Sequence, residues 1–129
     1  MGLLPAASRA LAAADLSRRV AERHLRPDGP MWGPHGFAAG TLVPGGGVAA
    51  YVQWDGNAVW GATAYWAYLL AAQLGFWAEA DRLRTQLADL IAAHGFREFY
   101  DALTGEPGGA GARSGFTWPT LILDMAIPE

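Results

Sequence analysis

Cysteine and lysine are absent from this chain of 129 residues, and histidine is scarce. Without cysteine the chain has no disulfide framework, no thiolate nucleophile and no thiolate ligand for zinc. The three histidines, His24, His35 and His94, do not have the spacing of metal ligands. We therefore expect neither a metal ion nor a cofactor.

Long uncharged apolar runs and an excess of basic charge are also absent. The net charge is -3, which disfavours a nucleic-acid partner. Hydrophobic residues make up 52% of the chain, which is enough for the core of one domain over residues 1–129. The segment 3–25 is interrupted by Arg9, Asp15, Arg18, Arg19, Glu22 and Arg23. It is therefore expected neither to span a membrane nor to act as a signal peptide, which predicts a cytoplasmic protein.

Helical periodicity dominates the chain, and no segment shows the alternation of a strand. The first predicted helix is amphipathic and extends from Pro5 to Val20. The second, capped by Asn57 and ended by Gly75, is apolar on nearly every side, so we expect it to be buried. A short last helix is predicted over residues 117–126.

A half-exposed third helix is predicted from Phe76 to the residue before Gly95. Its apolar stripe comprises Phe76, Ala80, Leu83, Leu87, Leu90 and Ile91, and its outward face Glu79, Asp81, Arg82, Arg84, Gln86 and Asp89. Two long loops, residues 26–53 and 96–115, are rich in glycine and aromatic residues. Helical hairpins joined by such loops predict an all-α fold that forms part of an α/α toroid.

The run from Gln53 to Trp60 combines polar and aromatic side chains at the start of the second helix. Aromatic rings stack on the apolar faces of a sugar, and amides and carboxylates bind its hydroxyls. Trp54 and Trp60 fit either a sugar site or an ordinary core, whereas Trp66 is better explained as a core residue.

A second run, residues 95–101, places Glu98 between aromatic residues just after a helix end. Its carboxylate would be desolvated, with a raised pKa, or would accept a hydrogen bond from a neighbour such as Tyr100 and stay ionised, as a base that activates water requires. An isolated glutamate is more often solvated or salt-bridged. Asp101 and Glu106 are interpreted as turn-forming residues.

The first run resembles a signature of the trehalase family. Gln53-Trp54-Asp55, four further residues and Trp60 match the Gln-Trp-Asp signature in spacing. Val59-Trp60 also resembles the end of the Tyr-Trp-Arg-Gly-Pro-Val-Trp run of glycoside hydrolase family 63 and of the mannosylglycerate and glucosylglycerate hydrolases. Residues 55–58 depart from that run, because Asp-Gly-Asn-Ala stands where it has Trp-Arg-Gly-Pro.

Three further segments resemble these hydrolases in the same order. Residues 98–101, 104–106 and 116–118 are similar to their Glu-Tyr-Tyr-Asp, Thr-Gly-Glu and Phe-Ser-Trp segments. Upstream, Trp-Gly-Pro-His-Gly-Phe at 32–37 is similar to the loop before their sugar-binding signature. The resemblance covers about residues 20 to 126. The order and spacing of the motifs carry more weight than any single motif.

The resemblance implies a C-terminal part of an (α/α)6 toroid that catalyses inverting hydrolysis of an α-glucoside or a similar small glycoside. It implies that Glu98 is the general base. The implied and candidate substrate-binding residues are Gln53, Trp54, Asp55, Trp60, Trp32, His35, Tyr100, Arg113 and Trp118. In these families the general acid is an aspartate in the earlier half of the toroid. No counterpart of it precedes residue 20, so we expect little activity from this chain alone.

Three functional hypotheses remain. A glycosidase fragment would need the remaining toroid, or self-association, and would expose apolar surface where that partner packs. A non-catalytic remnant would bind carbohydrate or act as a scaffold without turnover. A sugar isomerase or epimerase would require catalytic histidines, and only His35 lies in a suitable loop.

Overall fold

The fold is predominantly helical in the computed structural model, which describes residues 6–44, 56–108 and 118–126. The helices are α1 (Ala6–His24), α2 (Gly61–Gln73), α3 (Trp77–His94) and α4 (Ile122–Ala126), with a 3-10 turn at Trp118–Leu121 before α4. All four predicted helices are therefore present. No helix in these three ranges is both long and apolar enough to cross a membrane.

Helices α2 and α3 form the central hairpin. Helix α3 buries its stripe of Ala80, Leu83, Leu87 and Leu90, as its sequence predicts. The buried residues of α2 are small and include Ala64, Ala67 and Ala71. Small side chains let neighbouring elements approach a helix backbone closely, so α2 can pack tightly in the core.

Five short strands correct the all-α expectation. Strands β1 (Trp32–Gly33) and β2 (Gly36–Phe37) form a hairpin. Strands β3 (Ala58–Trp60), β4 (Phe99–Asp101) and β5 (Pro107–Gly108) form an antiparallel sheet in the order β3-β4-β5. Because each strand has only two or three residues, none could show the alternation by which a strand is recognised in a sequence.

Asn57 does not cap α2, contrary to the sequence-based expectation, since the helix begins at Gly61 after β3. The buried side chain of Asn57 instead binds the backbone of Val43. Its Oδ1 accepts a hydrogen bond from the Val43 N–H at 2.8 Å, and its Nδ2 donates one to the Val43 carbonyl at 2.9 Å.

Helix α2 is not buried on all sides, which corrects a second expectation. Trp66 is 67% exposed and Leu69 is 37% exposed, on the face away from α3. The interpretation of Trp66 as a core residue is therefore wrong for this chain. An apolar surface of this kind on a helix marks a site of contact with another structural element.

Helix α1 is attached to the rest of the fold through its last turn. Ala21 and the following Leu25 are buried, whereas Leu11, Leu16 and Val20 are exposed. The guanidinium of Arg18 lies 5.6 Å from the ring centroid of Phe76, at the turn between α2 and α3. The amphipathic pattern thus predicts the helix correctly, but most of its apolar residues do not enter the core of this chain.

Candidate active site

The sheet brings the two aromatic motif runs of the sequence together. Strands β3 and β4 pair so that Trp60 lies opposite Phe99 and Val59 opposite Tyr100. Glu98 is the residue immediately before β4 and is half-buried. The candidate base is therefore one residue away from the partner of Trp60, although about forty positions separate the two runs along the chain.

The two faces of this sheet have different roles. Val59 and Tyr100 belong to the main core, whereas Trp60, Phe99 and Ala58 form a second apolar cluster. The rings of Trp60 and Phe99 lie 4.8 Å apart, tilted by 45°. Trp60 is only 7% exposed, so it forms an aromatic wall with Phe99 and is not an open platform for a sugar ring.

The third motif run, residues 32–37, joins the same assembly through the backbone. The His35 N–H donates to the Ala102 carbonyl at 2.9 Å, and the Ala102 N–H donates to the Asn57 carbonyl at 2.8 Å. Just beyond the run, the Ala39 N–H donates to the Ala58 carbonyl at 2.8 Å. All three runs are thus fixed to one another by main-chain hydrogen bonds.

Trp32 packs inside the protein. It is 4% exposed, and its ring meets Phe37 edge-on at 6.0 Å between centroids. The guanidinium of Arg82 lies 4.9 Å from the centre of the same ring. These contacts make Trp32 a packing residue of the β1–β2 hairpin, and they do not support its candidacy as a sugar-stacking residue.

Gln86 holds this hairpin onto α3, a role that the sequence does not reveal. Its Oε1 accepts a hydrogen bond from the Trp32 indole N–H at 2.6 Å. Its Nε2 donates to the carbonyls of Gly33 and Pro34, at 3.2 Å and 3.0 Å. Gln86 is therefore not an outward-facing surface residue, as its position on the polar stripe of α3 suggested.

His35 is separated from Trp60 by the sheet. Its side chain is exposed and lines a pocket together with residues of α3 and of the turn at 104–105. Successive residues of a strand project to opposite faces, so the Trp60–Phe99 cluster lies on one side and the Tyr100–His94 contact, at 6.4 Å between centroids, on the other. The pocket of His35 also contains His94 and therefore lies on the Tyr100 side.

Tyr100 fixes the turn that precedes Glu98. Its hydroxyl donates a hydrogen bond to the Gly95 carbonyl at 2.6 Å and accepts one from the Arg97 N–H at 3.1 Å. The single hydroxyl proton is directed to Gly95, so the expected hydrogen bond from Tyr100 to Glu98 is not formed. Burial raises the pKa of Tyr100 above its ordinary value, and the bond from Arg97 partly opposes this rise.

Replacing Tyr100 with phenylalanine should lower the free energy of unfolding by about 1–2 kcal/mol, because the turn loses both hydrogen bonds. A folded-state pKa above the unfolded one also means that wild-type stability is lost as the pH rises above about 10. The variant has no hydroxyl at position 100 that can ionise, so the difference in free energy of unfolding between the two proteins should shrink at alkaline pH.

Urea denaturation at pH 8 and above pH 10 measures both effects. Tyr68→Phe is the matched control, because it leaves Tyr100 and its turn intact. An equal alkaline loss of stability in wild type and Tyr100→Phe would show that Tyr100 is not the group responsible.

The turn after β4 is organised by Asp101, in agreement with its interpretation as a turn-forming residue. Asp101 is 2% exposed, and its Oδ1 accepts hydrogen bonds from the N–H groups of Leu103 and Thr104, at 2.8 Å and 3.3 Å. The carbonyl of Glu106 accepts the Asp101 N–H at 2.8 Å, which closes the turn.

Several candidate residues lie outside the described ranges, namely Gln53, Trp54, Asp55 and Arg113. The backbone of Trp118 belongs to the 3-10 turn before α4, but its side chain is not among those described. Within residues 6–44, 56–108 and 118–126, no group of three histidine or acidic side chains could hold a metal ion.

Comparison with known families and curated proteins gives no match to a family model and none to a curated protein. Among solved structures, the chain is similar to the GH63 mannosylglycerate hydrolase from Thermus thermophilus in complex with glucose, at 25% identity and a TM-score of 0.49. This match covers 94% of the present chain and 27% of that enzyme. The complex of the same enzyme with Tris and D-glycerate matches at 26% identity and a TM-score of 0.47, over 94% and 26% of the two chains.

A further match is an uncharacterized conserved protein from Thermus thermophilus, at 25% identity and a TM-score of 0.49, with the same coverage of 94% and 27%. The chain is similar, over nearly its whole length, to about a quarter of a GH63 mannosylglycerate hydrolase.

Proposed function

We propose that this chain supplies the general base and part of the sugar pocket of an inverting glycoside hydrolase of the α/α-toroid type, acting in the cytoplasm on a small glycoside such as an α-glucoside. Glu98 is the base. The general acid comes from the remaining part of the toroid, with which this chain associates as its C-terminal portion.

The observation that carries the proposal is the meeting of three separate motif runs. Residues 32–37, 59–60, 98–101 and 104–106 resemble segments of one enzyme family, and main-chain hydrogen bonds join these parts of the chain around β3 and β4. Glu98 immediately precedes Phe99, whose ring packs against Trp60.

The proposed chemistry requires two carboxyl groups on opposite sides of the glycosidic bond. In an inverting hydrolase the base removes a proton from a water molecule as that water attacks the anomeric carbon, and the acid protonates the leaving oxygen. The two carboxyl groups lie roughly 6.5–9.5 Å apart, which leaves room for the water. Glu98, half-buried at a turn fixed by Tyr100, is suited to the first role.

Exposed apolar surface supports the need for a partner. A groove of about 250 Å³ lies between the end of α1 and α2, and Val20, Leu25, Phe37, Trp66 and Leu70 are among its lining residues. Val20 and Trp66 are 45% and 67% exposed at this groove. Apolar area of this kind is stabilised when another helix covers it.

The direct test is hydrolysis of a panel of small glycosides, including trehalose, glucosylglycerate and mannosylglycerate. We expect no turnover by the chain alone and turnover when it is co-expressed with the complementary earlier part of a toroid. The product should first appear as the anomer opposite to the substrate, followed by NMR. Turnover by the chain alone would show that its catalytic pair is complete, and retention of configuration would contradict the inverting assignment.

Replacing Trp66 with glutamate should weaken binding to the complementary part by about 30-fold or more, because a buried aromatic side chain contributes roughly 2–3 kcal/mol. Isothermal titration calorimetry with the purified parts measures the dissociation constant. Trp77→Glu is the matched control, since Trp77 is also largely exposed but does not line the groove. Equal weakening by both substitutions would mean that the groove is not the contact surface.

The second candidate function is carbohydrate binding without catalysis. It rests on the same motif segments, joined around β3 and β4, and does not require a general acid. Calorimetry distinguishes this function from the first. The chain would bind a sugar, but no combination with a complementary part of a toroid would give turnover.

A further inference from the structure

A second pocket, of about 320 Å³, is lined in part by His94, whose ring contacts Tyr100, so it lies on the Tyr100 side of the sheet. It is formed where the turn of the β1–β2 hairpin meets the last part of α3 and the turn after β4. Its polar lining includes His35, Asp89, His94 and Thr104. His35, Asp89 and Thr104 are exposed and His94 is half-buried, so these groups can reach a ligand that enters from solvent.

Gln86 is a further polar lining residue, whereas the other lining residues give the pocket a nonpolar side. Leu90 is 3% exposed, and Ala93, one turn further along α3, lines the pocket beside it. Pro34 contributes from the hairpin turn. A pocket with one nonpolar side and several polar groups is the usual arrangement for a small, oriented ligand.

His35 is held in place before any ligand binds. The backbone of His35 is tied to Ala102, and the carbonyl of the preceding Pro34 accepts a hydrogen bond from Gln86 at 3.0 Å. The imidazole lies against Gly105, where a β-carbon would approach Nδ1 to 2.9 Å. Gly105 has a φ of +78°, a backbone conformation that glycine adopts without strain, and its lack of a β-carbon leaves room for the imidazole. Such preorganisation lowers the entropic cost of binding.

The chemistry of these groups fits hydroxyl recognition. The carboxylate of Asp89 accepts hydrogen bonds, the hydroxyl of Thr104 can donate or accept, and each neutral imidazole offers one donor and one acceptor. A sugar or cyclic polyol presents both donors and acceptors around a ring whose C–H faces are apolar. The volume is at the lower end of the range of small-molecule sites, which suits a ligand with a single ring.

We propose that this pocket binds a hydroxylated ligand of monosaccharide size, a sugar or cyclic polyol, at a place distinct from the Glu98 site. The ligand's hydroxyls bind Asp89, Thr104 and the two histidines, and its apolar face lies toward Leu90 and Ala93. This binding is independent of whether Glu98 acts as a base.

The three histidines make a direct test possible by NMR, because only three pairs of imidazole C–H signals exist in the chain. D-Glucose, D-mannose and myo-inositol are titrated separately into the full chain, to about 50 mM, which detects dissociation constants in the millimolar range. We expect the His35 and His94 signals to shift and to saturate with at least one of them. The His24 signals should stay in place, because His24 lines the other groove, between α1 and α2.

Two variants test the location. Ala93→Leu places a larger apolar side chain in the pocket at an exposed helical position and should raise the dissociation constant at least tenfold. Asp89→Asn should raise it by about tenfold, whereas Asp28→Asn, a matched change of an exposed aspartate outside the pocket, should leave it unchanged. Unchanged folding of the variants is checked by the dispersion of their amide spectra.

The proposal is overturned if no histidine signal shifts with any of the three compounds, or if the shifts persist unchanged in Ala93→Leu. Shifts confined to the indole signal of Trp60 would instead report binding at the aromatic wall of Trp60 and Phe99. That outcome would support the proposed function while contradicting this second site, so the two failures are distinguishable.

Discussion

Replacing Glu98 with glutamine is expected to lower kcat by about 10²- to 10⁴-fold in the complemented enzyme, with KM little changed. Glutamine keeps the size of the side chain and its ability to hydrogen-bond, but its amide cannot take a proton from the attacking water. The loss therefore falls on the chemical step and not on sugar binding. Steady-state kinetics on the best substrate of the glycoside panel measures the two parameters separately.

Glu106→Gln is the control for this experiment. Glu106 is exposed in the turn after β4, where its backbone carbonyl, which the substitution retains, accepts the Asp101 N–H. We expect this variant to keep wild-type kcat. If Glu98→Gln also kept wild-type kcat, or if it raised KM with no change in kcat, Glu98 would be a binding residue at most and the assignment of the base would be wrong.

Replacing Gly33 with alanine is expected to lower the free energy of unfolding by about 3 kcal/mol, the upper part of the range for overpacking. A β-carbon at Gly33 would lie 2.9 Å from the carbonyl carbon of Ala102 and closer still to its oxygen. The Ala102 backbone cannot move away easily, because hydrogen bonds tie it to both His35 and Asn57. Such a loss is a large part of the roughly 5–15 kcal/mol that usually stabilises a domain.

Gly75→Ala separates this steric effect from the general cost of losing a glycine. Gly75 has a φ of +77°, but a β-carbon there would meet nothing within 4 Å. We expect a loss of roughly 1–2 kcal/mol, the cost of a left-handed backbone for alanine. Urea denaturation followed by tryptophan fluorescence compares the two variants. If they were equally destabilised, the contact between residues 33 and 102 would not be as tight as the geometry indicates.

Periodicity predicted the helices well because each has enough residues to show its pattern. Helix α3 is the clearest example, since its leucines recur at helical spacing and all three lie in the core. The same pattern could not show that Trp66 is exposed. An apolar residue on a helix gives the same periodicity whether the surface that covers it belongs to this chain or to another. Burial depends on which other elements are present.

The short strands and the long-range hydrogen bonds could not be predicted from the sequence, for a different reason. A strand of three residues has no measurable period, and β3 and β4 are strands because residues far apart in sequence pair with each other. The roles of Gln86 and Asn57 depend on such contacts too. Gln86 accepts and donates hydrogen bonds across more than fifty positions of sequence, which no local pattern records.

The sequence by itself determined the positions of the helices, the stripe of α3 that enters the core, and the motifs that resemble glycoside hydrolases, since all three are written in local residue order. Only the tertiary structure decided which motifs meet. It paired Trp60 with Phe99, the residue that follows Glu98, placed His35 in a separate pocket, and buried Trp32 in packing contacts. The physical reason is that these neighbours are created by strand pairing and side-chain hydrogen bonds between distant segments, and such contacts exist only after the chain has folded.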